Sequence, residues 1–454
     1  MRAIRSWRGA VLGCVLAVAT AGTAAGQEAG PALVDHLGST GGPAITLDEA
    51  IARAQRVQPT VVRALSGVNS AEHQKRSSSL GAWLPSISAS SSGSSTWNEG
   101  IARIDPNTGI PLPADAVSRT VGFGLSGSWD VFTGFSRGAE SRRAKANLDA
   151  ADADLIDARY QIAFQTKQQF YGALSAEELL DVRRAAVRRA EEQLSVSINK
   201  LRTGSATRSD SLRSVVTLGN ARIQLVNAAT ILATAEANLG RLVGIDGRVG
   251  AIDDPSFHDI DIVVSEESLR REATASSPAV LSSEASAQAA EQSWKASKGA
   301  WWPNLRLTGN WNWNGNNRIN NYQLLEQKSL RINLTWPLFN GFTRETNVAV
   351  QANNYDVALA TAEDTRRQTS AALITRVAEL NAAKLRVEIA RVSIAAAEED
   401  LRVQQERYRL GATTIIEVLA SQEALNQAEV DEVGAHFDLL LAKAQIEALI
   451  GREL

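Results

Sequence analysis

Thiols are all but missing from this sequence: Cys14 is the single cysteine in 454 residues. It falls inside an N-terminal stretch that reads as an export signal, so the exported chain is expected to hold no disulfide and no Cys-ligated zinc or iron–sulfur centre. Histidine is also scarce. His36, His73, His258 and His436 lie far apart, none in a His-x-x-x-His spacing, and no Gly-rich phosphate loop follows a strand pattern. That leaves no constellation for catalysis: no catalytic residue, metal site or cofactor is expected, and the chain is not expected to be an enzyme. Aromatic residues make up only 5%, so small residues, alanine above all, must fill the interior. Such a composition suits long helices in close approach better than a thick globular core. Proline is absent from Arg137 to Arg202, and glycine occurs there only at Gly138 and Gly172. This predicts one helix of about 66 residues, roughly 100 Å at 1.5 Å per residue.

Arg2, Arg5 and Arg8 precede an apolar run from Ala10 to Ala19 and small residues through Ala24, Ala25 and Gly26. The pattern predicts a signal peptide over residues 1–26, with an apolar run too short for a bilayer span. Val11-Leu12-Gly13 before Cys14 resembles a lipoprotein box but sits too close to the charged residues, so lipidation is not expected. Removing 1–26 takes away three arginines and no acid, leaving the exported chain more acidic than the formal −3 of the whole. The basic run Arg183-Arg184 and Arg188-Arg189 lies among Glu177, Glu178, Glu191 and Glu192. It reads as a solvated helix face rather than a nucleic-acid site.

What is present is a duplication. Ser128-Trp129-Asp130-Val131-Phe132-Thr133-Gly134-Phe135-Ser136-Arg137 returns 207 positions later as Thr335-Trp336-Pro337-Leu338-Phe339-Asn340-Gly341-Phe342-Thr343-Arg344, with Trp, Phe, Gly, Phe and Arg in register. Upstream, Leu80-Gly81-Ala82-Trp83-Leu84-Pro85 matches Lys298-Gly299-Ala300-Trp301-Trp302-Pro303 at an offset of 218. The first hairpin connection is therefore 11 residues longer, as loops allow. Downstream the offset of 207 holds to the end: Gly204 matches Gly411, Thr207 matches Thr414, Gly244 matches Gly451. The plan is an N-terminal extension (27–44), repeat 1 (45–244), a linker (245–265) and repeat 2 (266–454). Each repeat holds short helices, a strand hairpin (about 86–131 and 304–338) and a long helix pair (about 137–243 and 344–450). Thr46, with Glu49 three residues on, is the expected capping box of the first helix.

Within the helices, Leu373, Leu380, Val387, Ile394, Leu401 and Tyr408 recur every seven residues, which predicts coiled-coil seams. The strands alternate, weakly from Ser86 to Thr96 and clearly in the later ones. Val121, Phe123, Leu125, Trp129 and Val131 oppose Thr120, Gly122, Ser126, Ser128 and Asp130; Leu305, Leu307, Trp311 and Trp313 oppose an Asn-rich face. An apolar face on lipid and a polar face on water fits a tilted membrane strand of about ten residues, with Trp97, Trp129, Trp336 and Phe339 as interfacial aromatics. Four strands cannot close a barrel, so several chains must share one. A soluble periplasmic coiled-coil adaptor or scaffold would explain the signal and heptads but not these strands.

The opening Ile45-Thr46-Leu47-Asp48-Glu49-Ala50, the paired Trp-Leu-Pro and Trp-Trp-Pro segments, the two Phe-x-Gly-Phe junctions (Trp129, Phe132, Gly134; Trp336, Phe339, Gly341) and the turn Tyr408-Arg409-Leu410-Gly411-Ala412-Thr413-Thr414-Ile415-Ile416-Glu417 resemble TolC-like outer-membrane efflux proteins. The resemblance implies a mixed fold: a homotrimer whose protomers give four strands each to a shared outer-membrane β-barrel, continued by a long α-helical coiled-coil barrel in the periplasm. It implies an exit duct for a tripartite efflux pump or type I secretion system, passively conducting cargo. A periplasmic adaptor (membrane fusion protein), an inner-membrane pump and outer-membrane lipid are the implied partners, with no nucleic acid. It places the entrance at the helix turns, with Asp210 and Glu417 as pore acids, Tyr408 in the closing contacts through a hydrogen bond to the other turn near Asp210, and Gly204, Gly411 and Thr414 at the tips that meet the adaptor. Thr413 stands where the family's gate has an arginine, and Ala420 where it has a second acid.

Overall fold

The computed structural model describes residues 42–99, 103–104, 111–112, 115–257, 265–317 and 321–454. The export signal, the turn at 105–109 and part of the linker lie outside the described residues. Two short helices open repeat 1, α1 (Leu47–Val57) and α2 (Pro59–Ser79), the second with its proline in the first turn, where no N–H is needed. Only half of the expected capping box forms. Thr46 Oγ1 accepts the Glu49 N–H at 3.4 Å, but the Glu49 carboxylate turns to Arg53 one turn on. An i,i+4 ion pair has outcompeted the return bond.

A short parallel pair, β1 (Ala44–Ile45) with β6 (Gly250–Ala251), ties the start of α1 to the loop after the first long helix pair. The main sheet holds β2 (Ser86–Glu99), β5 (Asp115–Thr133), β7 (Asn304–Asn316) and β8 (Leu325–Thr335) in the order β2-β5-β7-β8, antiparallel throughout. Between β2 and β5, β3 (Arg103–Ile104) pairs with β4 (Pro111–Leu112). β8 stops at Thr335 rather than running to residue 338. Its repeat counterpart β5 lies between two neighbours and stays paired to Thr133, whereas β8 is an edge and Pro337 has no N–H to offer.

The two faces of the sheet differ as the alternation predicts. On one, hydroxyls pair across strands, Ser86 with Ser128 at 2.8 Å and Ser88 with Ser126 at 2.7 Å, and Asp130 accepts from Arg306 Nε at 2.5 Å. This face is crowded: a Cβ on Gly124 would come within 2.7 Å of Asn312 Oδ1. On the other, Phe123, Leu125, Trp129, Val131, Leu330, Ile332 and Leu334 stand exposed, Leu330 by 74%. So large a contiguous apolar belt is not left to water.

Four long helices hang from the sheet: α3 (Ser136–Arg202), α4 (Arg208–Val243), α7 (Thr343–Arg409) and α8 (Ile415–Ile450). The lengths, 67 and 36 residues in each repeat, match residue for residue at the offset of 207. Between the pairs lie α5 (Glu266–Ser276) and α6 (Pro278–Ser297). Alanine-rich clusters join each hairpin, Ala176 and Leu180 with Ala228, Ala229 and Leu232 in the first, Leu373, Val377 and Leu380 with Ala435, Leu439 and Ala442 in the second. A third cluster sets Phe170 and Leu174 of α3 against Val433, Phe437 and Leu440 of α8 and binds the two hairpins together.

Candidate functional site: a strand-to-helix seam and a helix-turn tip

At the seam the backbone must turn from strand to helix within a few residues. Gly134 and Gly341 do so at φ +65° and +66°. The residues after them, Phe135 and Phe342, are also left-handed, at φ +68° and +64°. A non-glycine in that region carries strain that the surroundings must hold, and the surroundings repeat. Phe132 meets Phe135 edge-on at 5.1 Å, as Phe339 meets Phe342 at 5.6 Å. Trp129 Nε1 donates to the Trp83 carbonyl at 3.1 Å, and Trp336 Nε1 to the Trp301 carbonyl at 3.2 Å. The Arg137 and Arg344 guanidiniums lie over the Trp83 and Trp301 rings at 5.2 and 3.6 Å. The duplicated Trp, Phe, Gly, Phe and Arg are thus one knot built twice. The sequence carries no signal for the left-handed phenylalanines, since it shows only that their identity repeats, not their backbone.

The two seams differ in one respect. Gly134 is pressed against Gly299, whose carbonyl oxygen would lie 2.2 Å from an added Cβ, and Phe135 packs edge-on against Trp302 at 5.5 Å. Gly341 has nothing within 4 Å of that position, and Phe342 is exposed. The repeat counterparts of Gly299 and Trp302 are Gly81 and Leu84, which lie beside the opposite edge of the sheet, at β2.

The tips are the turns α3–α4 and α7–α8, where Gly204 and Gly411 take φ +78° and +77°. Thr207 caps α4 with a full capping box: its hydroxyl accepts the Asp210 N–H at 3.2 Å and the Asp210 carboxylate accepts the Thr207 N–H at 2.9 Å. Thr414, at the same place, makes no side-chain cap bond, and Glu417 three residues on is exposed. Thr413 is half-buried beside it. Asp210 is therefore held against its own helix, while Glu417 is free to reach outward.

Tyr408 does not reach toward Asp210 through a hydrogen bond. Its side chain is buried, and its hydroxyl faces Ser197 without a well-formed bond. Burial pushes the phenol above its usual range, Ser197 pulls it back and the nearby Asp210 charge adds to the rise. Lys200 holds the residue in place: its ammonium donates to the Tyr408 carbonyl and lies 4.3 Å from the ring centroid. Ser197 in turn hydrogen-bonds Ser214, hydroxyl to hydroxyl at 2.9 Å, so α3, α4 and α7 meet in one polar knot. Lys200 carries no sequence signal for this role, because its repeat counterpart is Arg407 and its partner lies 208 residues away. Further up, Arg189 of α3 forks onto Glu429 of α8 at 2.6 and 2.9 Å and reaches Asn426 at 2.7 Å, a second tie between the hairpins.

A family model described as outer membrane efflux protein matches residues 50–245 and 269–452. Protein CyaE of Bordetella pertussis is 24% identical over 338 residues, 71% of each chain. The fold is similar to the outer membrane protein VceC of Vibrio cholerae, with TM-score 0.72, 17% identity and 90% and 96% of the two chains covered. It is likewise similar to the CmeC outer membrane channel of Campylobacter jejuni, with TM-score 0.73, 17% identity and coverage of 89% and 85%.

Proposed function

The chain belongs to the outer membrane efflux protein family, and from that premise we propose how it closes into a duct and where the duct is gated. The family's activity is an outer-membrane exit channel for efflux or secretion, passive rather than catalytic, with a long periplasmic helical part. Our reading is that three copies assemble, that their twelve strands close one barrel, and that an inner-membrane pump and a periplasmic adaptor deliver cargo to the helix tips.

One observation carries this reading: the sheet has two free edges, β2 and β8, and the sequence repeat supplies the seam that would join them. Unpaired strand edges in lipid leave backbone N–H and C=O groups without partners, at several kcal/mol each. Inside the chain β5 pairs β7, with Trp129 opposite Leu307 and Leu125 opposite Trp311. Carrying that register across by the two offsets puts Trp336 opposite Ala89 and Ile332 opposite Gly93 of a second copy. Gly341 and Phe342 would then rest on Gly81 and Leu84, filling the space left open at the second seam. Three copies rather than two follow the resemblance to TolC-like proteins.

The helices support the same assembly. Val433 of α8 is buried against α3, while its counterpart Val226 on α4 is exposed along with Val215 and Ile223. A neighbouring α7 would cover that stripe. At the tips Asp210 and Glu417, at equal heights in the two repeats, would line the entrance, with Tyr408 and Lys200 beneath them and Thr413 in the place of the family's arginine.

Disulfide trapping tests closure. The I332C/G93C pair is expected to give an oxidant-dependent ladder ending at three chains on denaturing gels, while I332C with A89C, four residues out of register, gives none. A soluble chain recovered from periplasm without detergent would sink the duct reading itself.

A further inference from the structure

The helix-turn tips carry a charge pattern that closure and gating leave unused. Over residues 200–213 and 407–420, stretches related by the 207-residue offset, stand Lys200, Arg202, Arg208, Arg213, Arg407 and Arg409 against Asp210 and Glu417 alone, on a chain that is net acidic. Neither acid neutralises an arginine. Asp210 is committed to the Thr207 N–H, and Glu417 makes no ion pair among the described residues. Arg202, Arg208, Arg213 and Arg407 are exposed and make no ion pair among the described residues, while Arg409 makes one loose pair with Glu406 at 3.9 Å. Higher on the long helices some arginines pair, as in Arg189–Glu429, Arg222–Glu191 and Arg402–Glu399, and others such as Arg183 and Arg188 form no pair among the described residues, but there acids stand beside them; what sets the tips apart is the excess of cations over acids.

Within this ring the turn of repeat 2 presents Leu410, 81% exposed, between Arg409 and Gly411. Its counterpart in repeat 1 is the polar Thr203. An apolar knob rimmed by guanidiniums that outnumber the acids beside them is the composition of an interface anchor: arginine forks carboxylates bidentately, and a desolvated apolar centre gives the contact its free energy. One leucine on a tight turn offers too little apolar area to hold a bilayer, which points to a protein occupant.

We propose that the tips, and the α7–α8 turn foremost, dock an acidic periplasmic protein whose contact surface sets carboxylates around an apolar socket for Leu410. This rests on the duct reading and gives its adaptor a chemistry.

The test uses the full chain in detergent micelles and in planar bilayers, with poly-L-glutamate, a glutamate–leucine copolymer and poly-L-lysine as probes. Poly-L-glutamate is expected to bind at low salt, to weaken steeply as salt rises, and to lose roughly tenfold in affinity in R407E/R409E. The copolymer should bind more tightly than poly-L-glutamate, and L410S should erase that difference while leaving poly-L-glutamate binding unchanged. Poly-L-lysine binding as tightly as poly-L-glutamate would overturn the proposal. So would equal affinity of the wild type and R407E/R409E, or binding to phosphatidylglycerol vesicles without binding to poly-L-glutamate. Failure of the wild type to conduct in bilayers sinks the duct reading instead, so the two failures are told apart.

Discussion

At the scale of residues, the two seam glycines offer the sharpest contrast. Both have φ near +65°, so alanine at either costs about 1 kcal/mol of backbone strain. Gly134→Ala also drives a methyl into the Gly299 carbonyl and the Trp302 side chain. It should therefore lower the melting temperature of the isolated chain well beyond Gly341→Ala. If Gly341 meets Gly81 of a neighbour, Gly341→Ala should instead reduce the yield of assembled oligomer on size-exclusion chromatography. Lys200→Ala removes a charge-assisted hydrogen bond and a cation–π contact, together about 1–2 kcal/mol, and should raise the resting conductance by loosening α3 from α7. Glu417→Ala should weaken cation preference or divalent block in bilayer recordings, and no change in either would remove Glu417 from the pore.

These residues also show what a sequence can and cannot disclose. Gly134 and Gly341 were legible as turning points because glycine at a duplicated strand end has few other uses. Phe135 and Phe342 were not, since their left-handed backbone is imposed by packing that their side chains help create. For Tyr408 the resemblance implies a bond near Asp210, but its hydroxyl makes none, and the Asp210 carboxylate instead accepts from the Thr207 N–H. Lys200 was invisible for a different reason: its contact joins opposite repeats, and no local pattern encodes it.

At the scale of elements, period and offset carried most of the fold. The alternation of β5 and β7 and the heptads of α7 predicted type and extent within a few residues. The end of β8 is not in the alternation, because strand length depends on the neighbour: β5 has two and β8 one. The helices make a related point. α4 and α8 are the same length and hold equivalent places in their hairpins, yet α8 buries Val433 where α4 exposes Val226. Val226→Asp should leave the isolated protomer's stability almost unchanged, within about 0.5 kcal/mol, as for other exposed sites. It should nevertheless cut recovery of the oligomer, measured by light scattering in detergent. Equal recovery would place some other surface against α7.

At the scale of the whole molecule, the unbroken offset sets a rule about length. Because α3 matches α7 and α4 matches α8 residue for residue, the two hairpins are of equal length, and in the proposed tube both would reach the same level. Height is thus a shared dimension. Removing seven residues from α3 and seven from α4 keeps the heptad phase but shortens one hairpin by about 10 Å. That variant should lose conductance and assembly, while the same cut in all four helices should restore both in a shorter tube. A channel built this way can change its reach across the periplasm only in steps taken twice, once in each half of its gene.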